Sequence, residues 1–264
     1  MSALAARARE RRPAPVAPGQ PVAEVRELHK RFEGHAVLRG ISFTLPRGET
    51  LVVMGGSGSG KTVMLRSVAG LIRPSSGSIV VFGRHIEGLS EEELLPIRRR
   101  MGYVFQGAAL FDSLSVLDNV AYPLREHTSL PEPAIRARVV EVLGQVGLGA
   151  EILGQLPAEL SGGMRKRVGI ARAIVAEPEI LLFDEPTAGL DPTNSRMVAD
   201  LIGHLKGGVC DTAIVVTHDL ELARAVADRI AVLMEGRFAA LGPRDEVLVS
   251  GDPAVQAFLS GEAR

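Results

Sequence analysis

The sequence lacks the features that mark disulfide-stapled, membrane-spanning and general nucleic-acid-binding proteins. Its 264 residues include a single cysteine, Cys210, so no disulfide can form within the chain. No apolar run approaches the roughly 18 residues that a membrane-spanning helix needs. The formal net charge of -1 argues against general binding to nucleic acid. Hydrophobic residues still make up 46% of the chain, which is enough for a sizeable core.

The first 21 residues have the composition of a tail that stays outside the core. They are rich in alanine, arginine and proline, and four arginines fall between Arg7 and Arg12. The apolar run Ala3–Ala6 is shorter than the roughly 7–15 residues at the centre of a signal peptide. We therefore expect residues 1–21 to form a solvated, disordered tail, with contact to anionic lipid headgroups as the alternative.

Beyond the tail, short β-prone runs alternate with helical patterns, which predicts an α/β fold with a largely parallel central sheet. Leu51–Met54 and Ile180–Phe183 are continuous apolar runs, typical of strands buried on both faces. The predicted strands cover residues 41–45, 50–54, 78–82, 179–183, 212–216 and 230–234.

The middle of the chain has a different pattern. Between about Gly88 and Leu160 only Tyr103–Phe105 resembles a strand, and helical patterns dominate. Ser129 and Glu132 have capping-box spacing, and apolar residues follow at helical intervals from Ile135 to Val146. The predicted organisation is a tail over 1–21, one domain over 22–245 with a helical insertion over about 88–165, and a helical extension over 246–264.

A glycine-rich segment, Gly55–Thr62, matches the pattern G-x-x-x-x-G-K-[ST]. It follows a predicted strand and precedes a predicted helix, so its backbone N–H groups and the helix start can surround phosphate oxygens. Lys61 supplies a charge to the outer phosphates, and the Thr62 hydroxyl can bind Mg²⁺. The chain has only four lysines, so a chance match has odds of roughly one in two hundred. The predicted phosphate-binding residues are Gly55, Gly56, Ser57, Gly58, Ser59, Gly60, Lys61 and Thr62.

Three further positions fit a nucleotide site. Asp184 and Glu185 end a buried strand, where Asp184 would lie beside Mg²⁺ and Glu185 would polarise an attacking water as general base. His218 follows another strand and could hydrogen-bond the terminal phosphate. Gln106 lies on the connection after Tyr103–Phe105, from which it could reach Mg²⁺ or the water. Taken singly, the acids could be a solvated strand end and the histidine a structural residue.

A second glycine pair, Gly162 and Gly163, follows Ser161 and opens a basic helical segment. A helix start of this kind can bind an anion, although an ordinary serine N-cap is the simpler alternative. One Mg-ATP does not need two phosphate cradles from one chain. The economical interpretation is a symmetric dimer, in which the second cradle of each chain covers the ATP of the other.

Together these residues resemble the nucleotide-binding subunit of ABC transporters over about residues 22–245. The resemblance implies a P-loop NTPase core with a mostly parallel sheet, an antiparallel β subdomain and a helical insertion subdomain. It also implies that Phe32 stacks on adenine, with a core position as the alternative, and that Asp191 and the signature contact ATP. The motifs occur in the family's order: Walker A at Gly55–Thr62, Q-loop at Gln106, signature at Leu160–Met164, Walker B at Ile180–Asp184 with Glu185, D-loop at Gly189–Asp191 and switch histidine at His218.

Within this family the sequence is similar to the Mla-type, Mce-associated lipid-transport ATPases. Met164 replaces the glutamine of the usual LSGGQ signature, and an arginine-rich helix follows it. The stretches 107–111 and 118–127 also resemble that group. Because Ser161, Gly162 and Gly163 are retained, phosphate contacts should survive, while one polar contact is lost.

The resemblance implies a Mg²⁺-dependent ATPase that powers phospholipid transport. It would work as a homodimer on the cytoplasmic face of the inner membrane, beneath a separate MlaE-like permease. An Mce-domain lipid-binding protein and a small STAS-type regulator are the further expected partners, and nucleic acid is not. The alternatives are the ATPase of a small-solute, amino-acid-type importer, a non-transport ABC ATPase acting on ribosomes or DNA, and a nucleotide-gated module without hydrolysis.

Overall fold

The computed structural model describes residues 20–261. The tail predicted over residues 1–21 therefore lies outside the described residues, except for its last two positions. Within the described range the chain forms two β-sheets and nine α-helices. None of the helices in this range is long and apolar enough to cross a membrane.

The smaller sheet is antiparallel and has four strands in the order β2-β1-β4-β5. Its strands are β1 (Ala23–Phe32), β2 (His35–Leu45), β4 (Ser76–Val81) and β5 (Arg84–His85). The larger sheet has six strands in the order β10-β9-β3-β8-β7-β6. They are β3 (Thr50–Met54), β6 (Met101–Val104), β7 (Ile180–Asp184), β8 (Ala213–Thr217), β9 (Arg229–Met234) and β10 (Arg237–Pro243). All of its pairs are parallel except β9 with β10.

The helices connect the strands and cover the larger sheet. They are α1 (Lys61–Val68), α2 (Glu91–Arg98), α3 (Val116–His127), α4 (Glu132–Gln145), α5 (Gly162–Ile174), α6 (Pro192–Lys206), α7 (Leu220–Val226), α8 (Arg244–Leu248) and α9 (Pro253–Leu259). Two short 3-10 turns, Ala150–Ile152 and Pro157–Glu159, precede α5. Helices α3, α4 and α5, which follow β6 and precede β7 along the chain, pack on one another.

The central strands are buried on both faces because a hydrophobic cluster lies on each side of them. In β3, Val52 and Met54 belong to the cluster that includes α3 to α7, whereas Leu51 and Val53 belong to the cluster shared with the antiparallel sheet. Side chains alternate between the faces of a strand, so one continuous apolar run supplies both clusters. The carboxyl ends of β3, β7 and β8 then lie together at one edge of the sheet.

Every predicted strand is present, with bounds that differ by one or two residues or lie within a longer strand. Strand β6 lies inside the range 88–165 that we predict as a helical insertion, and it pairs in parallel with β7. The larger sheet therefore continues through part of that range. The predicted capping box before α4 is wrong: Pro131 is the N-cap and offers no side-chain cap, because it has no hydrogen-bonding side chain. The four apolar residues at helical spacing, Ile135, Val139, Val142 and Val146, are buried.

The predicted helical pieces near the C-terminus are α8 and α9. Val247 and Val255 are buried in the same cluster as α3 to α7. This segment therefore packs on the core through these two side chains.

Candidate functional site

The glycine-rich loop connects β3 to α1 in a conformation that only small residues allow. Gly60 has a φ of 105°, and a Cβ there would lie 2.8 Å from Leu38 Cδ2. A Cβ on Gly55 would lie 2.5 Å from the carbonyl oxygen of Leu233. The loop therefore packs closely against the larger sheet and against β2. Helix α1 begins immediately after the loop, at Lys61. A glycine loop followed by a helix start can bind an anion through its backbone N–H groups and the positive end of the helix.

Lys61 points back into this loop. Its ammonium donates to the carbonyls of Gly55 at 2.8 Å and Gly56 at 3.0 Å, and lies 3.3 Å from Glu185 Oε1. The side chain is only 7% exposed. The Ser59 hydroxyl is also buried and has no hydrogen-bond partner in the described part of the chain. A buried ammonium and an unpartnered hydroxyl in one glycine loop fit a phosphate group, whose oxygens accept hydrogen bonds from both.

Asp184 is held by two hydroxyl groups at the end of β7. Thr62 Oγ1 donates to Asp184 Oδ1 at 2.7 Å, and the Tyr103 hydroxyl donates to Oδ2 at 3.1 Å. Burial, followed by the charge of Asp184, raises the pKa of Tyr103, so the phenol stays protonated. A hydroxyl and a carboxylate are the hard oxygen donors that Mg²⁺ prefers. The described residues contain no group of three or more His, Cys, Asp or Glu side chains suited to a metal. Phosphate and water would complete the coordination of Mg²⁺ here.

Glu185 lies between two positively charged or protonatable side chains. His218 Nδ1 is 2.9 Å from Glu185 Oε2, on the side of the carboxylate away from Lys61. The Glu185 backbone has a φ of 48°, and its N–H donates to Val216 O at 2.9 Å. A non-glycine residue in this region costs about 1–3 kcal/mol and is found mainly at functional sites. The structure thus brings together the predicted base, the predicted phosphate-binding lysine and the predicted switch histidine.

The predicted Gln106 lies directly after β6 in an exposed turn. Its backbone carbonyl accepts a hydrogen bond from Lys166 Nζ. The structure places this residue on a connection between the sheet and the helices, as the sequence predicts. The reach of its side chain to Mg²⁺ or water stays a prediction.

The signature segment begins α5. Ser161 is the N-cap, and its hydroxyl accepts a hydrogen bond from Met164 N at 3.2 Å. The hydroxyl therefore acts as an ordinary serine N-cap, which is the simpler of the two alternatives. Ser161 and Gly162 are nonetheless exposed. A Cβ on Gly163 would lie 2.4 Å from Asn194 Oδ1, so the start of α5 and the start of α6 are in close contact.

Asp191 caps α6 and fixes the side chain that touches the signature. It accepts from the backbone N–H groups of Thr193 and Asn194, both at 3.0 Å, and from Asn194 Nδ2 at 2.5 Å. Hydrogen bonds from the Asn194 backbone and side chain lower the pKa of Asp191. The predicted D-loop residue is therefore linked to the signature through Asn194, and its contact with ATP stays a prediction.

Phe32 ends β1 and is 43% exposed, so the alternative of a core position is wrong. Lys30 Nζ lies 4.7 Å from the centre of its ring. An exposed ring face is what stacking on a nucleobase requires. The role in adenine binding stays a prediction.

Lys166 is a site residue that the sequence patterns did not single out. It is 6% exposed, and its ammonium bonds the carbonyls of Gln106 and, at 3.4 Å, Glu185. Burial lowers the pKa of Lys166, while the charges of Glu185 and Asp184 act to raise it. In the sequence Lys166 is one of several basic residues in a helical segment. It is distinguished there only by its residue type, because the chain has just four lysines.

Comparison with known proteins gives consistent matches. The family described as "ABC transporter" matches residues 38–188. The chain is 43% identical over 238 residues to "Probable ribonucleotide transport ATP-binding protein mkl" of Mycobacterium tuberculosis (strain ATCC 25618 / H37Rv). That alignment covers 90% of this chain and 66% of the relative, so the chain spans just under two thirds of the mycobacterial protein.

A second relative is matched over nearly its whole length. "Intermembrane phospholipid transport system ATP-binding protein MlaF" of Escherichia coli (strain K12) is 40% identical over 241 residues, 91% of this chain and 89% of MlaF. Among solved structures, the "Dimeric Structure of MJ0796, a Bacterial ABC Transporter Cassette" superposes with a TM-score of 0.79 at 31% identity. It covers 84% of this chain and 98% of that one. A dimeric post-hydrolysis state of MJ0796 "bound to ADP and Pi" gives a TM-score of 0.77, with the same identity and coverage.

Proposed function

The chain belongs to the ABC transporter family, and from this premise we propose that it is the ATP-hydrolysing subunit of a phospholipid transporter with a separate permease. The observation that carries the proposal is the arrangement around Glu185. Its carboxylate lies 3.3 Å from Lys61 Nζ and 2.9 Å from His218 Nδ1, beside the phosphate loop. These distances support a site in which a base, a phosphate-binding cation and a protonatable group act around one point.

We infer that the residues of the site have separate roles in the hydrolysis step. Glu185 orients a water and takes its proton as the oxygen bonds to the terminal phosphorus and the bond to the bridging oxygen breaks. Lys61 and the loop N–H groups stabilise the charge that develops on the phosphate oxygens. Thr62 and Asp184 would hold Mg²⁺, with Gln106 as a further ligand, and the ion would neutralise phosphate charge. His218 would hydrogen-bond the terminal phosphate.

The working unit is a homodimer. The start of α5 is exposed at Ser161 and Gly162. Its backbone N–H groups and helix dipole can bind a phosphate of the ATP that a second chain holds. Asp191 supports this face through Asn194. The dimeric cassettes among the structural relatives support such an assembly.

Transport requires a partner that spans the membrane, and none of the described helices of this chain is long and apolar enough to do so. The relative MlaF belongs to an intermembrane phospholipid transport system, so we propose an MlaE-like permease and an Mce-domain lipid-binding protein as partners. A small STAS-type regulator would complete the set. The chain would then lie on the cytoplasmic face of the inner membrane. Phe111 and Tyr122, whose exposed rings lie 5.0 Å apart near the Gln106 turn, are the surface we assign to permease contact.

A second candidate cargo is a ribonucleotide, because the mycobacterial relatives are described as ribonucleotide transport proteins. The phospholipid interpretation is favoured because the alignment covers 89% of MlaF but 66% of the mycobacterial protein from H37Rv. An amino-acid-type importer has no comparable support among these relatives.

The test is purification of the tagged full-length chain from its native membranes in mild detergent. We expect an integral membrane permease to co-purify, together with phospholipid identified by mass spectrometry. The control is the same membranes carrying an unrelated tagged cytoplasmic protein. Consistent recovery of a permease with a ribonucleotide other than ATP or ADP, and without enriched phospholipid, would favour the second candidate instead.

A further inference from the structure

One face of α5 binds the turn that follows β6. The turn comprises residues 106–109, and three residues spaced three apart along the helix contact it. Lys166 donates to its first carbonyl, Gly169 packs against Ala108, and Arg172 donates to its last two carbonyls at 2.8 and 2.7 Å. Residues at this spacing share one side of a helix. The turn and α5 are therefore joined along three successive positions.

Close packing supports these hydrogen bonds. A Cβ on Gly169 would lie 3.1 Å from Ala108 Cβ, so the helix backbone and the turn are in tight contact. Arg172 is half-buried, and this burial lowers its pKa. Ala108 and Ala109 have φ values of 62° and 49°, a conformation that hydrogen bonds to their carbonyls help to hold. These contacts join α5 and the 106–109 turn into one unit.

Lys166 gives this unit a second connection, to Glu185, the residue that follows β7. The same ammonium that binds the Gln106 carbonyl lies 3.4 Å from the carbonyl of Glu185. The lysine is 6% exposed, so solvent has little access to replace either bond. A buried ammonium needs acceptors for its N–H groups, and these two carbonyls supply them.

The connection acts on the backbone that aims the Glu185 side chain. The Glu185 N–H is bound to Val216 O at 2.9 Å, and its carbonyl is bound to Lys166. Its φ of 48° is a conformation that a glutamate adopts only when its surroundings hold it there. With both neighbouring peptide groups anchored, the direction of the Cα–Cβ bond, and hence of the carboxylate, is set.

We propose that Lys166 is a positioning residue for ATP hydrolysis: it joins the 106–109 turn to the Glu185 carbonyl, so that the placement of α5 sets the aim of the Glu185 carboxylate. The inference rests on the proposed function of Glu185 as the base. It assigns to Lys166 no contact with ATP. Loss of the ammonium should therefore slow the chemical step and leave nucleotide binding unchanged.

The experiment compares Lys166→Met, Lys166→Arg and a matched control, Arg167→Met, in the full-length chain with its co-purified membrane partners. Arg167 is the next residue of α5 and also donates to carbonyls, those of Gly147 at 2.8 Å and Val146 at 3.3 Å. Both of its acceptors follow α4, and neither is next to Glu185 in the chain. The measurements are kcat and KM for Mg-ATP, the Kd of a fluorescent ATP analogue, and Tm.

We expect Lys166→Met to lower kcat by about 10- to 100-fold, as displacement of a catalytic group by about 1 Å does, with Kd and KM within about two-fold of wild type. Lys166→Arg should recover most of the loss, because it keeps a cation with several N–H donors. Arg167→Met should retain the kcat of wild type. Should Lys166→Met not fold, Lys166→Gln replaces it with the same expected fall in kcat.

The two proposals fail in different ways. If Glu185→Gln hydrolyses ATP like wild type, the proposed base is wrong, whatever Lys166 does. If Glu185→Gln is inactive but the neutral Lys166 variant keeps wild-type kcat, the positioning role is wrong. An equal loss in Arg167→Met, or a loss that appears in Kd and Tm instead of kcat, also overturns it.

Discussion

Replacement of Glu185 by glutamine tests the proposed chemistry most directly. The amide keeps the shape of the side chain but cannot accept the proton of water. Removal of a general base costs about 10²- to 10⁴-fold in kcat, equivalent to about 3–5 kcal/mol of transition-state stabilisation. The variant also loses a charge 3.3 Å from the Lys61 ammonium. At an effective dielectric constant of about 20 that attraction is roughly 5 kcal/mol before desolvation is counted.

Loss of this ion pair should also change nucleotide binding. In Glu185→Gln, the remaining hydrogen bonds of Lys61 within residues 20–261 are those to the carbonyls of Gly55 and Gly56, so it is freer to bind a phosphate. We therefore expect ATP to bind at least as tightly as in wild type while hydrolysis nearly stops. Since ATP closes the proposed dimer, the variant should accumulate as an ATP-bound dimer.

The assay combines phosphate release with size-exclusion chromatography coupled to light scattering, with and without Mg-ATP. The matched control is Glu235→Gln, because Glu235 also has a φ of 48° but is exposed in the turn between β9 and β10. It should keep wild-type kcat and show no trapped dimer. Near-normal hydrolysis in Glu185→Gln, or an equal loss in the control, would falsify the assignment of Glu185 as base.

Two further predictions concern the signature and the ion pairs of Glu179. Gly163→Ala puts a Cβ 2.4 Å from Asn194 Oδ1, so ATPase activity and ATP-driven dimerisation should fall by about ten-fold or more, and adding Asn194→Ala should recover part of the loss. Failure of that recovery would refute the contact. Burial would raise the pKa of Glu179, but hydrogen bonds and charges from Arg100 and Arg47 outweigh it and lower the pKa. Glu179→Gln should cost about 2 kcal/mol of unfolding free energy at pH 7 in urea denaturation. Because the folded pKa is depressed, the difference should shrink as pH falls below the ordinary glutamate value of about 4.3 and through the folded pKa. A difference unchanged at pH about 3 would refute it.

Local sequence was a sound guide wherever a segment's own chemistry decides its conformation. The runs that became β3 and β7 are apolar throughout, and both strands are buried along their full length. The glycines of the phosphate loop are needed by the backbone itself, as the φ of Gly60 shows. The sequence does not predict strands β1, β5 and β10. Strand β5 has only two residues, while β1 and β10 are mixed in polarity and carry irregular pairing, so the alternation that marks a strand is broken.

By itself, the sequence determined the order of the elements and the phosphate loop, because strand burial and tight glycine turns depend on nearby residues. Only the tertiary structure decided which distant side chains meet. Tyr103 reaches Asp184 because β6 pairs beside β7, and Lys166 reaches Glu185 because α5 packs against β6, the neighbour of β7 in the sheet. Such contacts join positions separated by 81 and 19 residues, and they depend on how sheet and helices pack, which no local pattern records.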